Sequence, residues 1–157
     1  MAGNPPSLVL EYPPAPAASS AEHFRDALRR STDPSDVHAD RESGAARFTL
    51  VDARSPEAYV RGHVPGAVNL PHRRIDAETA SRFSKEVPIV TYCDGTHCNA
   101  STKAALKLAE LGFLVKEMIG GMDGWVRDGF AVETGADDDR ELPAAASFTG
   151  SKAVCGC

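Results

Sequence analysis

The strongest constraint in this sequence is a double change of hydrophobic period after residue 86. Val87-Pro88-Ile89-Val90-Thr91-Tyr92 is a short, β-branched apolar run that ends at Cys93, and residues 115–119, opening at Val115 and closing at Ile119, read as a further strand. Between them Ala104, Leu108 and Leu111 recur on one face of a helix, Lys103, Lys107 and Glu110 on another, and Gly112 closes the segment. Strand, helix and strand in this order make a crossover unit, which joins parallel strands. The chain is therefore expected to be an α/β protein whose sheet is at least partly parallel. A further apolar run, Phe48-Thr49-Leu50-Val51, ends at Asp52, and Gly120-Gly121 and Gly129 bracket a short helix carrying Trp125, the single tryptophan.

With 157 residues there is room for one ordinary α/β domain and for ends that need not fold. Five of the 11 prolines fall within residues 1–16, so residues 1–18 read as an extended arm. Ser19 or Ser20 is placed to cap a helix over residues 21–30, with Phe24, Ala27 and Leu28 on one face and Asp33-Pro34 as its stop. The domain is expected to run over residues 19–134. Residues 135–157 hold three consecutive aspartates and no periodic apolar pattern, and read as a flexible tail ending in Cys155-Gly156-Cys157. The net charge of −5 and the lack of a basic stripe argue against nucleic acid as a partner. The opening residues have neither a basic start nor a sustained apolar run, so no leader or membrane segment is expected and the protein is read as cytoplasmic.

Cys93 and Cys98 lie five residues apart, and Cys155 and Cys157 are at the end of the tail, which is not the spread of a secreted disulfide framework. In a reducing compartment such thiols serve reactivity or metal. Cys93 ends a strand, and Asp94-Gly95-Thr96-His97-Cys98-Asn99 is a short polar loop leading into a helix. Its amides are expected to curl round the sulfur, lower the thiol pKa and make Cys93 a nucleophile. The alternative reading is a buried strand-end cysteine without chemistry.

Two further segments connect this loop to a family. Leu50-Val51-Asp52-Ala53-Arg54-Ser55-Pro56-Glu57-Ala58-Tyr59, followed by Gly62-His63-Val64-Pro65-Gly66-Ala67-Val68-Asn69-Leu70-Pro71, closely resembles the first signature of rhodanese-like sulfurtransferases. Gly120-Gly121-Met122-Asp123-Gly124-Trp125 resembles the second. The resemblance covers about residues 35–133. It implies an α/β fold with a central five-stranded parallel sheet flanked by helices. It also implies that Cys93 accepts a sulfane sulfur as a persulfide and passes it to a thiophilic acceptor, with Asp94, Gly95, Thr96, His97, Cys98 and Asn99 binding the substrate. The partners would be a small sulfur donor (persulfide, polysulfide or thiosulfate) and a thiol or protein acceptor, with no cofactor. Within the signatures, Asp52 and Arg54 read as a structural ion pair, Gly62, Pro65 and Gly66 as a tight turn, His63 as a histidine satisfied by backbone, and Trp125 as packing. His97 either helps to hold an anion or is a solvated loop side chain.

The loop departs from the family pattern in having no arginine or lysine. Asp94 directly follows the cysteine, Asn99-Ala100-Ser101 stands where an arginine is frequent, and the loop is about two residues longer than usual. A doubly charged donor lacks its cationic partners here, so a persulfide or polysulfide is expected over thiosulfate. The same gap removes the arginine that phosphate-monoester chemistry on related loops requires. Cys98, Cys155 and Cys157 are candidate resolving or relay thiols. A zinc site made of all four cysteines is not expected, because Cys155-Gly156-Cys157 is tighter than usual ligand spacing and a metal would quench the nucleophile. The rival to an enzyme is a catalytically weak module of this fold that senses redox state or binds a partner through Cys93 and Cys98.

Overall fold

The computed structural model describes residues 7–136. The outermost part of the arm and nearly all of the tail, with Cys155 and Cys157, lie outside the described residues. Five strands, β1 (Ser31–Thr32), β2 (Thr49–Asp52), β3 (Val68–Asn69), β4 (Ile89–Tyr92) and β5 (Val115–Met118), form one sheet in the order β1-β5-β4-β2-β3. Every pairing is parallel. The expected α/β architecture with a five-stranded parallel sheet is what the chain adopts. β2 and β4 are buried at every position, which is why they read as continuous apolar runs and not as alternating ones.

Alternation along β4 assigns its side chains to two cores. Ile89 and Cys93 join the layer under α5 (Ala100–Glu110), with Val51, Ala104, Leu108 and Phe113. Val90 and Tyr92 join the opposite layer, with Val37 of α2 (Pro34–Glu42), Tyr59 of α3 (Pro56–Arg61) and Trp125 of α6 (Gly121–Arg127). α5 buries Ala104 and Leu108, the face its periodicity marked, and Gly112 follows it at φ +87°, the left-handed position that ends a helix. The chain leaves β4 towards β5 on one side, whereas it leaves β2 towards β3 on the other. A crevice therefore opens above the carboxyl end of β4.

Helix α1 (Ala17–Arg30) begins earlier than the serines suggest. Pro16, with φ already near the helical value, stands at the N-cap, and neither Ser19 nor Ser20 caps the helix. The face carrying Phe24, Ala27 and Leu28 does not pack: Phe24 is 62% exposed, Leu28 71%, and no residue of α1 is buried. A periodic stripe marks an apolar face without specifying that the rest of the chain reaches it. Asp33-Pro34 does follow the end of α1, but its structural role is to start α2, where the Asp33 carboxylate accepts from the Asp36 amide at 2.9 Å and Pro34 takes the first position. Ser55-Pro56 starts α3 in the same way, and Asp76 with Thr79 forms a capping box on α4 (Ala77–Ala80). Among the described residues no helix is long and apolar enough to cross a membrane.

The two leucines of α5 test this packing. Leu108→Ala is expected to cost about 2–5 kcal/mol in urea unfolding, because Leu108 is fully enclosed, while Leu106→Ala on the exposed face should stay within about 0.5 kcal/mol of wild type.

Candidate active site

Cys93 is the first residue beyond β4, on the parity that faces α5. Its carbonyl oxygen accepts the Met122 amide at 2.9 Å, and the Asp94 carbonyl accepts the Asp123 amide at 2.8 Å, so the start of α6 clamps the base of the loop. This clamp explains Gly121. Its φ is +52°, and a Cβ there would collide with the Cys93 carbonyl. Within the loop the Cys98 amide closes a turn onto the Gly95 carbonyl at 3.0 Å, and the chain then enters α5 at Ala100. Residues 93–99, Ser101, Thr102, Glu117 and residues 118–121 line a cavity of about 790 Å³.

The loop does not surround the sulfur with amides. Cys93 Sγ lies 3.2 Å from the Cys98 carbonyl, 3.9 Å from the Gly95 carbonyl and 3.1 Å from Ser101 Oγ. The expectation of an amide cradle that lowers the thiol pKa is thus corrected: burial pushes the Cys93 thiol up, and the hydrogen bonds to Ser101 counter this only in part. Carbonyl oxygens accept from a thiol and oppose a thiolate, so the resting site suits S–H. Behind the sulfur, Ser101 Oγ donates to Glu117 Oε1 at 2.6 Å, and Thr102 Oγ1 donates to the same oxygen at 2.8 Å. Thr91 Oγ1 donates to the Ser101 carbonyl at 3.1 Å and fixes the first turn of α5 on β4.

Arg54 organises the other side. Its side chain is only 9% exposed, and its guanidinium donates to both oxygens of the buried Asp52, to the Gly62 carbonyl at 2.7 Å and to Asp94 Oδ1 at 3.2 Å. Burial works against the positive charge, but the hydrogen bonds and charge of Asp52 outweigh it and hold Arg54 well above the ordinary arginine range. The pair read from sequence as structural is therefore present, and it reaches further than the sequence showed, since Arg54 also holds the acidic residue next to Cys93.

The loop residues Asp94, Gly95, Thr96, His97, Cys98 and Asn99 come together around the cavity. His97 is exposed, with Nδ1 3.5 Å from Asp123 Oδ2, and does not touch the sulfur. His63 is buried elsewhere, stacked on Tyr59, with Nδ1 2.8 Å from the Tyr59 carbonyl and Nε2 3.6 Å from Glu133 Oε2. Sequence reasoning missed Glu117 and the roles of Ser101 and Thr102. One signal was available: Glu117 is two residues from Val115 in a strand, and so shares the inward face with an apolar residue, an unusual place for a carboxylate.

A parallel sheet with a cysteine at the carboxyl end of its central strand, under a loop that opens a helix, defines an α/β domain built around a strand-end thiol. The chain belongs to the rhodanese-like domain family, whose model matches residues 33–128. It is 35% identical over 96 residues to the HTH-type transcriptional regulator Rv0324 of Mycobacterium tuberculosis, a match that takes in 61% of this chain but 42% of that protein. This chain therefore spans less than half of that relative. It is 30% identical over 96 residues to thiosulfate sulfurtransferase 16, chloroplastic, of Arabidopsis thaliana, covering 54% of this chain and 78% of that one. Among solved structures, the BH2092 protein from Bacillus halodurans is 40% identical with a TM-score of 0.74, covering 76% of this chain and 87% of that chain.

Two outcomes follow from this geometry. Arg54→Met should cost about 3–5 kcal/mol in urea unfolding, because it leaves the buried Asp52 carboxylate without its counter-charge. For Cys93, a raised pKa means less thiolate at neutral pH. The thiolate absorbance of wild type minus Cys93→Ser should accordingly rise only above about 8.5, the free-thiol value.

Proposed function

We propose that this chain is a sulfurtransferase that carries a sulfane sulfur as a persulfide on Cys93. The observation that supports it best is the placement of Cys93, the one thiol of the described residues that ends a central parallel strand at the floor of a cavity. Family membership and the similarity to a thiosulfate sulfurtransferase point the same way. In the first half-reaction Cys93 Sγ bonds to the outer sulfur of a donor R–S–SH, the donor S–S bond breaks, and R–SH leaves. In the second, an acceptor thiol attacks the outer sulfur of Cys93–S–SH, takes it as a new persulfide, and returns Cys93 to the thiol. Sulfur oxidation levels balance across the cycle, so no external oxidant or cofactor enters it.

The donor is a persulfide or polysulfide before thiosulfate. Among the described residues no lysine or arginine side chain lines the cavity, while Asp94 and Glu117 do. The nearby guanidinium of Arg54 is not among the lining residues and is already bonded to Asp52, Gly62 and Asp94. A second reading, in which Cys93 and Cys98 form a redox pair, draws support from Cys98 packing against the same core as Cys93. Cys155 and Cys157 enter either reading as relay thiols of the tail.

Incubation with a glutathione-type persulfide should add about 32 Da, the mass of one sulfur atom, to wild type and nothing to Cys93→Ser, and dithiothreitol should remove it. A loss of two hydrogens in place of that gain would favour the redox pair. Asp94→Asn removes a negative charge from the cavity while leaving an acceptor for Arg54, and should raise kcat/KM for thiosulfate about tenfold. A wild-type kcat/KM for thiosulfate at or above that for persulfide would contradict the charge argument.

A further inference from the structure

Cys93 is poorly prepared for nucleophilic attack by its immediate surroundings: it is 2% exposed, two carbonyl oxygens face its sulfur, and the Cys98 thiol beside it also disfavours the thiolate, against which the Ser101 amide and hydroxyl act only in part. Ser101 Oγ lies 3.1 Å from the sulfur. A serine hydroxyl has one proton, and that of Ser101 goes to Glu117 at 2.6 Å, so its lone pairs face the sulfur. The single Cys93 S–H then has two acceptors within reach, the Cys98 carbonyl at 3.2 Å and Ser101 Oγ at 3.1 Å, and rotation about the Cβ–Sγ bond exchanges one for the other. With the S–H turned to Ser101, sulfur, hydroxyl and carboxylate form a chain in which each proton points towards Glu117.

The chain is built and not incidental. Thr102 supplies a second hydrogen bond to the same Glu117 oxygen, and Thr91 pins the Ser101 backbone from β4. β5 places Glu117 in register with Ser31 of β1 and Thr91 of β4, both uncharged. The charged groups around the site are otherwise engaged. Asp94 is held by Arg54, His97 by Asp123 of α6, and Arg30 at the end of α1 by Asp26. On α5, Lys103 and Lys107 stand beside His72, and Cys98 is the remaining titratable group on the loop.

We propose that Glu117 is a positioning residue for sulfur transfer, taking the Cys93 proton by way of Ser101 as the sulfur attacks and returning it as the sulfur departs. When Sγ bonds to the donor's outer sulfur, its proton passes to Ser101 Oγ and the Ser101 proton passes to Glu117. The leaving thiolate takes a proton from water. When the acceptor thiolate, its proton lost to water, removes the outer sulfur, Cys93 leaves as a thiolate and recovers its proton through Ser101 from Glu117. The relay thus lets a buried neutral thiol react at neutral pH. This rests on the reading of Cys93 as the attacking thiol.

Glu117→Gln isolates the effect, since the amide oxygen still accepts from Ser101 and Thr102 but is not a base. Two rates are measured from about pH 6 to 9: formation of the Cys93 persulfide from a glutathione-type persulfide, and alkylation of Cys93 by iodoacetamide, which needs no sulfur donor. Wild type should react near neutral pH faster than its thiolate fraction allows. E117Q should be slower there by about 100-fold and should gain about tenfold per pH unit until it meets wild type at high pH. Ser101→Ala should give the same profile, and the double variant should be no slower than either single one. An E117Q rate at neutral pH equal to or above wild type would overturn the relay, because the carboxylate would then only repel a thiolate. So would a loss of equal size at every pH, which is the mark of a structural role. If no donor adds sulfur but the alkylation profile changes as stated, the relay holds and the sulfurtransferase reading fails. Normal persulfide formation with an unchanged E117Q profile is the reverse.

Discussion

The buried ion pair of Arg54 with Asp52 is the constraint on which the site depends. Asp52 ends β2 without solvent exposure, and a carboxylate there is tolerable only with a fixed counter-charge. The planar guanidinium meets that need from two residues away and has donors left for the Gly62 carbonyl beyond α3 and for Asp94 in the loop after β4. One side chain therefore sets the relative positions of three segments distant in sequence. From the other side, the amides of Met122 and Asp123 hold the carbonyls of Cys93 and Asp94. Between these two clamps the loop's shape is fixed, and with it the direction in which the sulfur points.

That fixed shape has an electrostatic consequence. Because the Cys98 and Gly95 carbonyls turn towards the sulfur, the resting site favours the thiol, and the burial that protects Cys93 from adventitious chemistry also suppresses its ionisation. Asp94 and Glu117 make the cavity acidic, in keeping with a donor that is not a dianion. A site of this kind reacts faster at neutral pH when a proton acceptor is at hand, and Ser101 with Glu117 is the acceptor we propose for it.

How much of the molecule could be read in advance depends on element length. β2, β4, α5 and α6 were legible because each carries either a full apolar run or a turn of helix with a glycine at its end, and β5 because Val115, Met118 and Ile119 follow a helix closed by Gly112. β1 and β3 have two residues each, too few to show a period, and their pairing is decided by the strands beside them. α2, α3 and α4 announce themselves only through caps such as Asp33-Pro34, Ser55-Pro56 and Asp76 with Thr79. The stripe on α1 pointed to a buried face that the described residues do not cover.

By itself the sequence determined the parallel α/β architecture, the order of its principal elements and the position of Cys93 at a strand end, because hydrophobic period and turn chemistry are local properties. Only the tertiary structure decided what surrounds the sulfur. Glu117 lies 16 residues from Ser101 along the chain, and their hydrogen bond exists because β5 pairs with β4 in the register that puts Glu117 beside Thr91. The carbonyls facing Sγ depend in turn on a loop conformation held by Arg54 and α6. A period in the sequence tells which side of a strand a residue occupies, but the group across from it, and hence the sign of a pKa shift, is set only when separate segments pack.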